Sequence, residues 1–200
     1  RSYAADLPRH FPDEFQWDYQ DPELTDAEVK HLAYQAYLKK YLRTVKGLDD
    51  NVGRLLVHLD KTGELDNTII LYTSDQGFML GEHDYIDKRW MYEESMRMPF
   101  IVRFPREIEA GSACADMALN LDFAPTFLDL AGVDVPPEFQ GSSVRPLLGG
   151  QTPADWRTSM YYRYWMHKAH HNVYAHYGLR THRYKLIYYY NDALGQAGAI

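Results

Sequence analysis

The stretch TIILYTSDQGF, residues 68–78, decides the fold class because an apolar segment runs directly into side chains that can hold ions. Residues 68–73 are short, apolar and rich in β-forming residues, which is typical of a strand covered on both faces. Such strands are usually parallel, and ligands of open α/β sheets gather just outside their carboxyl ends. Asp75 therefore stands where a binding site is expected.

A long amphipathic helix is predicted upstream of this strand. Thr25 is a suitable N-cap, and Glu28 follows it at the capping-box spacing. Leucine and valine recur at three- and four-residue steps over residues 38–59, as on one face of a helix. We expect a break near Gly47 and a C-terminal cap at Gly63.

Further elements are predicted downstream. Residues 99–105 read as a second short strand between prolines, and residues 122–132 as a helix with Pro125 in its first turn. After Trp156 the chain becomes rich in tyrosine and other β-forming residues, which predicts strands of a smaller sheet. The predicted fold class is α/β, a mostly parallel sheet with flanking helices followed by a smaller sheet.

Composition excludes several classes of protein. The net charge of −7, with 24% charged residues, argues against a basic nucleic-acid binder and against a disordered chain. A single cysteine, Cys114, excludes an internal disulfide framework and a cysteine-rich zinc module. No apolar segment reaches the roughly 18 residues that a membrane span needs. The 17 tyrosines suit either packing or a polar ligand site.

Asp75 and Gln76 form a candidate metal site. Both offer side-chain oxygen, and Gly77 lets the chain turn close to a bound ion. Oxygen ligands favour a hard cation, Ca²⁺ or Mg²⁺, over zinc. The alternative is that Asp75 caps the following turn and Gln76 is only exposed.

Lys88 and His83 are candidates for binding an anion. A lysine near a divalent cation makes sense when both hold one polyanion, such as a phosphate or sulfate ester. Lys88 could instead pair with Asp87 or Glu93 on the surface. His83 could donate to the anion or to a loop carbonyl.

The stretch NTIILYTSDQGFMLGEHDYIDKRWMYEESMRMPFIVRFP, residues 67–105, resembles type I sulfatases of the alkaline-phosphatase-like superfamily. The family pattern is a strand, then S-D-(H/N/Q)-G, L-G-E-H and K-x-x-x-Y-E-x-S-x-R-x-P, and these elements match in order. The resemblance extends from about residue 34 onward. Within this family, the sequence most resembles the glycan sulfatases, particularly N-acetylglucosamine-6-sulfatases.

The resemblance implies a domain organisation and roles for the candidate residues. Residues 1–155 would be the C-terminal part of the catalytic domain, and residues 156–200 the beginning of a small antiparallel C-terminal subdomain. Asp75 and Gln76 would be calcium ligands, and Lys88 would contact the sulfate. Related sulfatases are periplasmic, secreted or lysosomal, so one of these locations is expected.

The implied reaction is hydrolysis of a sulfate ester by a formylglycine made from Cys or Ser in C/S-x-P-x-R. That motif does not occur here, and Cys114 lies in SACAD, so no catalytic residue is assignable. The chain is expected to be inactive by itself, a C-terminal portion whose partners are a sulfated carbohydrate and the N-terminal part of the same protein. A phosphodiesterase or phosphonate hydrolase, and a non-catalytic glycan-binding domain, are the alternatives.

A histidine cluster lies in HKAHHNVYAHYGLRT, residues 167–181. Its spacing is compatible with zinc, yet no acid or cysteine is nearby, which favours a wet polar rim. The resemblance adds a third interpretation. In related glycan sulfatases the start of the C-terminal subdomain overhangs the pocket, so His171, His176 and Arg180 could contact the sugar.

Overall fold

The computed structural model describes residues 23–168 and 173–190. Two longer helices and several elements of two to four residues precede the C-terminal sheet. In chain order, the elements are helix α1 (Asp26–Lys61), strands β1 (Ile70–Thr73), β2 (Met79–Leu80) and β3 (Ile86–Asp87), helix α2 (Glu93–Met96), strand β4 (Phe100–Arg103), helices α3 (Phe123–Leu130) and α4 (Arg145–Leu148), and strands β5 (Ser159–Tyr164), β6 (His176–Thr181) and β7 (Lys185–Tyr189).

These elements form two compact units. The first unit holds α1, β2, β3 and α2, and the second holds β1, β4, α3, α4 and the sheet of β5, β6 and β7. The domain boundary between residues 155 and 156 was inferred from the family resemblance, and it stays a prediction. No helix among residues 23–168 and 173–190 is long and apolar enough to cross a membrane.

Helix α1 begins at the predicted capping box. The Glu28 backbone N–H donates to Thr25 Oγ1 (3.4 Å), and the Thr25 N–H donates to Glu28 Oε2 (2.8 Å). The helix ends as expected, with Gly63 at φ +73° beyond its last turn. The predicted break near Gly47 is wrong, because the helix runs through this glycine without interruption.

Only the N-terminal half of α1 packs tightly in the first unit. Ala33 is fully buried, Tyr34 lies against Gly81, and Tyr41 stacks on Phe78 with ring centroids 6.2 Å apart. The predicted apolar stripe continues along the helix, but its later members are largely exposed. They include Leu42, Val45, Leu48 and Leu55.

Strands β1 and β4 pair in the second unit, and their direction corrects an expectation. Both strands occur where the sequence predicts them, but the pair is antiparallel, with Tyr72 opposite Ile101. All strand pairs among the described residues are antiparallel. An apolar run indicates covered faces, and the parallel direction is only the commoner arrangement for such strands. Here even the covering is partial, since Tyr72 is 41% and Ile101 61% exposed.

The C-terminal sheet confirms the prediction of a small antiparallel sheet. Its strand order is β5-β6-β7, with Tyr164 opposite His176 and His176 opposite Tyr189. Side chains alternate between a buried face and an exposed face along β6. Gly178 lies on the buried face, where an added Cβ would be 2.3 Å from the Leu186 carbonyl oxygen and 2.4 Å from Met91 Sδ. The close approach of these groups requires glycine here.

Candidate functional site

Asp75 follows β1 with one residue, Ser74, between them, at the strand end where a ligand is predicted. Its side chain is exposed, and the Ser74 hydroxyl donates to its Oδ1 (3.4 Å). Its backbone is held from elsewhere in the same unit, because Asn120 Nδ2 donates to the Asp75 carbonyl oxygen (3.2 Å). The structure therefore presents a carboxylate at the surface on a backbone that is tied to the turn before α3.

Gln76 joins three segments of the first unit. Its Nε2 donates to the carbonyl oxygens of Ser95 (2.6 Å) and Lys88 (3.2 Å). The next residue strengthens this junction, since the Gly77 N–H also donates to Ser95 O (2.8 Å), and a Cβ at Gly77 would lie 2.1 Å from the Glu94 carbonyl oxygen. Because Nε2 faces two acceptors, Oε1 is the Gln76 atom suited to a cation.

Replacing Gln76 by glutamate is expected to destabilise the chain. A carboxylate cannot donate to the Ser95 and Lys88 carbonyl oxygens and places negative charge against them, so the free energy of unfolding should fall by about 1–3 kcal/mol. Urea denaturation followed by circular dichroism measures this. Gln151→Glu, at an exposed position, is the matched control. If Gln76→Glu and Gln151→Glu lowered the free energy of unfolding equally, the Gln76 hydrogen bonds would not stabilise the chain as expected.

Lys88 lies directly after β3, in the same unit as Gln76. Its backbone carbonyl is the one held by Gln76, and its side chain is half-buried. The preceding residue, Asp87, has φ +109°, a conformation that costs energy for any residue with a side chain. The strained backbone of Asp87 and the hydrogen bond from Gln76 together fix the position of the Lys88 backbone.

His83 contacts a carboxylate in this structure. Its Nε2 lies 3.2 Å from Glu94 Oε2, and its ring stacks on Tyr92 with centroids 4.3 Å apart. His83 and Asp84 both have positive φ, and Lys30 from α1 pairs with Asp84 at 2.8 Å. The predicted anion contact of His83 stays a prediction, and an anion there would compete with Glu94.

His176 is buried in a cluster of aromatic rings in the second unit. Its exposed fraction is 0%, and its Nδ1 lies 2.7 Å from the Tyr174 carbonyl oxygen. Within the described residues its Nε2 has no hydrogen-bond partner. The surrounding rings are Trp90, Tyr162, Tyr164 and Tyr189, with centroids between 5.4 and 5.9 Å from that of His176. A sugar could reach this imidazole only if these rings moved.

Acid is expected to destabilise the chain through His176. Burial lowers the pKa of this imidazole below its ordinary value of about 6.5, although the bond to Tyr174 opposes the shift. The unfolded state therefore binds the proton more tightly than the folded state does. The stabilisation is complete above about pH 6.5 and is lost as the pH falls through the native pKa. The free energy of unfolding then falls by at most about 1.4 kcal/mol per pH unit.

The measurement is the free energy of unfolding between pH 7.5 and 5.0. Wild type should lose more stability over this range than His176→Phe, which keeps an aromatic ring but cannot be protonated. Burial raises the pKa of Tyr162, one of the facing rings, above its ordinary value of about 10. His58→Phe, on exposed α1, should behave as wild type. A His176→Phe profile parallel to wild type would contradict the expectation.

The remaining sugar-contact candidates have different placements. Arg180 lies on β6 on the same sheet face as His176, is half-buried, and donates to the Thr181 carbonyl oxygen. His171 lies outside the described residues. Gln76, His83 and Lys88 belong to the first unit, and Asp75, His176 and Arg180 to the second.

No complete metal site is found among the described residues. They contain no group of three or more His, Cys, Asp or Glu side chains that could hold a metal ion. Asp75 and Gln76 fit a hard cation by their donor atoms, an exposed carboxylate and an amide oxygen. Calcium takes about six to eight oxygens, so these two side chains could complete a site only with further ligands.

Cys114 lines a cavity of about 530 Å³ in the second unit. Other lining residues include Ile101, Asp116 and Leu147. Burial raises the pKa of the Cys114 thiol, which also donates to Asp116 Oδ2 (3.4 Å). Cys114 is exposed and lies outside any C/S-x-P-x-R motif, so no catalytic role is assigned to it.

A buried ion pair in the second unit is not predicted from the sequence. Asp122 is 0% exposed, and its carboxylate accepts hydrogen bonds from both terminal nitrogens of Arg157. It also accepts hydrogen bonds from the backbone N–H groups of Leu119 (2.7 Å) and Ser142 (2.9 Å). An aspartate at the start of a predicted helix suggests a cap, but nothing local to it indicates an arginine 35 residues away. This pair connects the start of α3 with the chain entering β5.

Two family models match the sequence. The model described as N-sulphoglucosamine sulphohydrolase, C-terminal, matches residues 81–196, and the model described as Sulfatase matches residues 3–133. The second match alone covers more than half of the chain. The chain belongs to the sulfatase family. The resemblance of residues 67–105 to sulfatases is therefore confirmed.

Several curated relatives of this sulfatase chain share its sequence. An N-acetylglucosamine-6-O-sulfatase of Bacteroides thetaiotaomicron is 54% identical over 88% of the chain and 32% of the relative. The N-acetylglucosamine-6-sulfatase of Homo sapiens is 36% identical over 70% of the chain and 25% of the relative. The sulfatase chain thus spans about a third or less of the length of these relatives.

Solved structures show the same fold. A protein described in complex with its substrate D-glucosamine-2-N,6-O-disulfate matches with TM-score 0.81 and 51% identity, over 92% of this sulfatase chain and 37% of that chain. A phosphonate monoester hydrolase from Silicibacter pomeroyi matches with TM-score 0.73 and 25% identity, over 96% and 41%. The predicted alkaline-phosphatase-like fold is confirmed.

Proposed function

We propose that the polypeptide containing this chain hydrolyses sulfate esters on sulfated glycans, with 6-O-sulfated glucosamine units as the preferred class. The observation that carries the proposal is the 54% identity, over 88% of the chain, to an N-acetylglucosamine-6-O-sulfatase. The 177 matched residues include the segment with Asp75, Gln76 and Lys88, which supports a shared chemistry for this segment.

In the proposed function, this chain supplies binding groups for the sulfate. Asp75 and Gln76 would hold Ca²⁺, with Mg²⁺ as the alternative, and the cation would stabilise negative charge on sulfate oxygens. Lys88 would donate to a sulfate oxygen. The junction at Gln76 supports both roles, because one amide places Oε1 for the cation and fixes the backbone of the lysine.

Calcium binding tests the metal part of the proposal. Calorimetric titration of the complete polypeptide should show one strong Ca²⁺ site, and Asp75→Asn should weaken it by about tenfold or more because a charged ligand becomes neutral. Asp66→Asn, an acid in the turn before β1, is the control and should bind as wild type. Unchanged affinity in Asp75→Asn would remove this residue from the metal site.

A second candidate function is supported by the structural comparison. The likeness to phosphonate monoester hydrolases, at TM-score 0.73, makes phosphonate and phosphate ester hydrolysis the alternative. Initial rates of the complete polypeptide on 6-O-sulfated N-acetylglucosamine and on an aryl phosphonate monoester separate the two. We expect the sulfate ester to have the higher kcat/KM. The reverse order would replace the proposed function with the alternative.

The proposed location is outside the cytosol, as the family resemblance implies. Fractionation of cells that express the complete polypeptide checks this, and recovery in the cytosolic fraction alone would contradict it.

A further inference from the structure

The backbone of Asp75 lies beyond the end of the ladder between β1 and β4. The last residue pair of this ladder is Thr73 and Phe100, so Asp75 stands two residues past it. Its carbonyl oxygen accepts a hydrogen bond from Asn120 Nδ2 (3.2 Å), although 45 positions separate the two residues in the sequence. This carbonyl is part of the peptide group that follows Asp75, so the Asn120 amide restricts rotation of the backbone that carries the Asp75 carboxylate.

Asn120 belongs to a backbone turn with little room to move. Residues Asn120–Asp122 form one short 3₁₀ turn directly before α3. The Asn120 side chain is exposed, whereas Asp122 at the end of the same turn is completely buried. The chain at Gly141 passes so close to this turn that any side chain there would run into the Leu121 carbonyl oxygen. An exposed amide is thus carried by a tightly packed turn.

A buried hydrogen-bond network around Asp122 anchors the turn. The Asp122 carboxylate accepts from Arg157 and from two backbone N–H groups. Its carbonyl oxygen accepts from Thr126 Oγ1 (2.6 Å), and the same hydroxyl accepts from the Val144 N–H (2.9 Å). A buried polar network whose members are hydrogen-bonded rigidifies the backbone that it joins. The Asn120 amide is therefore held in place before any ion binds.

We propose that Asn120 is a positioning residue for the Asp75 carboxylate in the metal site. The inference rests on the proposed function, in which Asp75 is a calcium ligand. A ligand on a backbone that is held in advance loses less conformational freedom when the ion binds. Groups that support a metal ligand without touching the metal typically change metal affinity by about 10- to 100-fold when they are removed.

Calorimetric titration of the complete polypeptide with Ca²⁺ tests the proposal without measuring activity. Asn120→Ala removes the donor and should weaken calcium binding by about tenfold. The matched control is Asn51→Ala, because Asn51 Nδ2 likewise donates to a backbone carbonyl oxygen, that of Gly47 (2.7 Å), on the exposed surface of α1. The control should bind calcium as wild type does. Wild-type affinity in Asn120→Ala would overturn the proposal.

A double-mutant cycle separates positioning from a general loss of structure. If Asn120 acts through Asp75, Asn120→Ala should cost less affinity in the Asp75→Asn background than in wild type, because the charged ligand that it holds is no longer there. Equal losses in the two backgrounds would overturn the positioning role. Loss of binding through unfolding of the calcium-free Asn120→Ala variant, measured by its melting temperature, would assign Asn120 to the fold and overturn that role as well.

The positioning role and the proposed function fail in different ways. Weaker binding in Asp75→Asn, together with wild-type binding in Asn120→Ala, would overturn the positioning role alone. Unchanged binding in Asp75→Asn would remove calcium ligation by Asp75 from the proposed function, and the positioning role would fall with it.

Discussion

Replacing Arg157 by leucine is expected to lower the free energy of unfolding by about 3–5 kcal/mol, because the substitution leaves the Asp122 carboxylate buried without its cation. Asp122 is completely buried and receives two nitrogens from Arg157. The two backbone N–H groups that also donate to it cannot balance a full charge. Urea denaturation, followed by circular dichroism and tryptophan fluorescence, measures the change.

A surface arginine provides the control for this prediction. Arg145 pairs with Glu107 and Asp129, but its side chain is 39% exposed, so Arg145→Leu should cost only about 1 kcal/mol or less. The double variant Asp122→Asn/Arg157→Leu should be more stable than Arg157→Leu alone, because the uncompensated charge is gone. Equal losses in Arg157→Leu and Arg145→Leu would show that the buried carboxylate does not depend on Arg157.

Replacing Lys88 by alanine should reduce kcat/KM of the complete polypeptide on 6-O-sulfated N-acetylglucosamine by about 100- to 1,000-fold, the range seen when one donor to developing charge is removed. A donor to a sulfate oxygen matters most as negative charge grows during ester cleavage, so the loss should appear mainly in kcat. Initial rates over a range of substrate concentrations separate kcat from KM.

Two variants make the Lys88 result specific. Lys88→Arg keeps the positive charge and should retain more activity than Lys88→Ala. Lys39→Ala removes a lysine from the exposed surface of α1 and should leave the kinetics unchanged. Wild-type kcat/KM in a correctly folded Lys88→Ala protein would exclude this lysine from the sulfate site.

The sequence predicted the features whose signals are local. Thr25 and Glu28 lie within one helical turn of each other, so their spacing alone identifies the start of α1. Gly63 caps the helix and the tyrosine-rich strands of the C-terminal sheet occur where expected. The ordered motif elements between residues 67 and 105 were enough to identify the sulfatase family.

The sequence alone also predicted candidate residues for a sulfate site, because Asp75, Gln76 and Lys88 stand at motif positions that can be read without coordinates, and this assignment stays a prediction. Only the tertiary structure decided which groups distant in the chain face each other. It pairs Asp122 with Arg157, turns the Gln76 amide toward the Ser95 and Lys88 carbonyls, and encloses His176 in aromatic rings. The direction of strand pairing was also decided only by the tertiary structure. An apolar run indicates that the faces of a strand are covered, but it does not fix the direction of the neighbouring strand. The physical reason is that a capping box or a strand pattern acts over a few residues, whereas burial and ion pairing depend on contacts that exist only after the chain has folded.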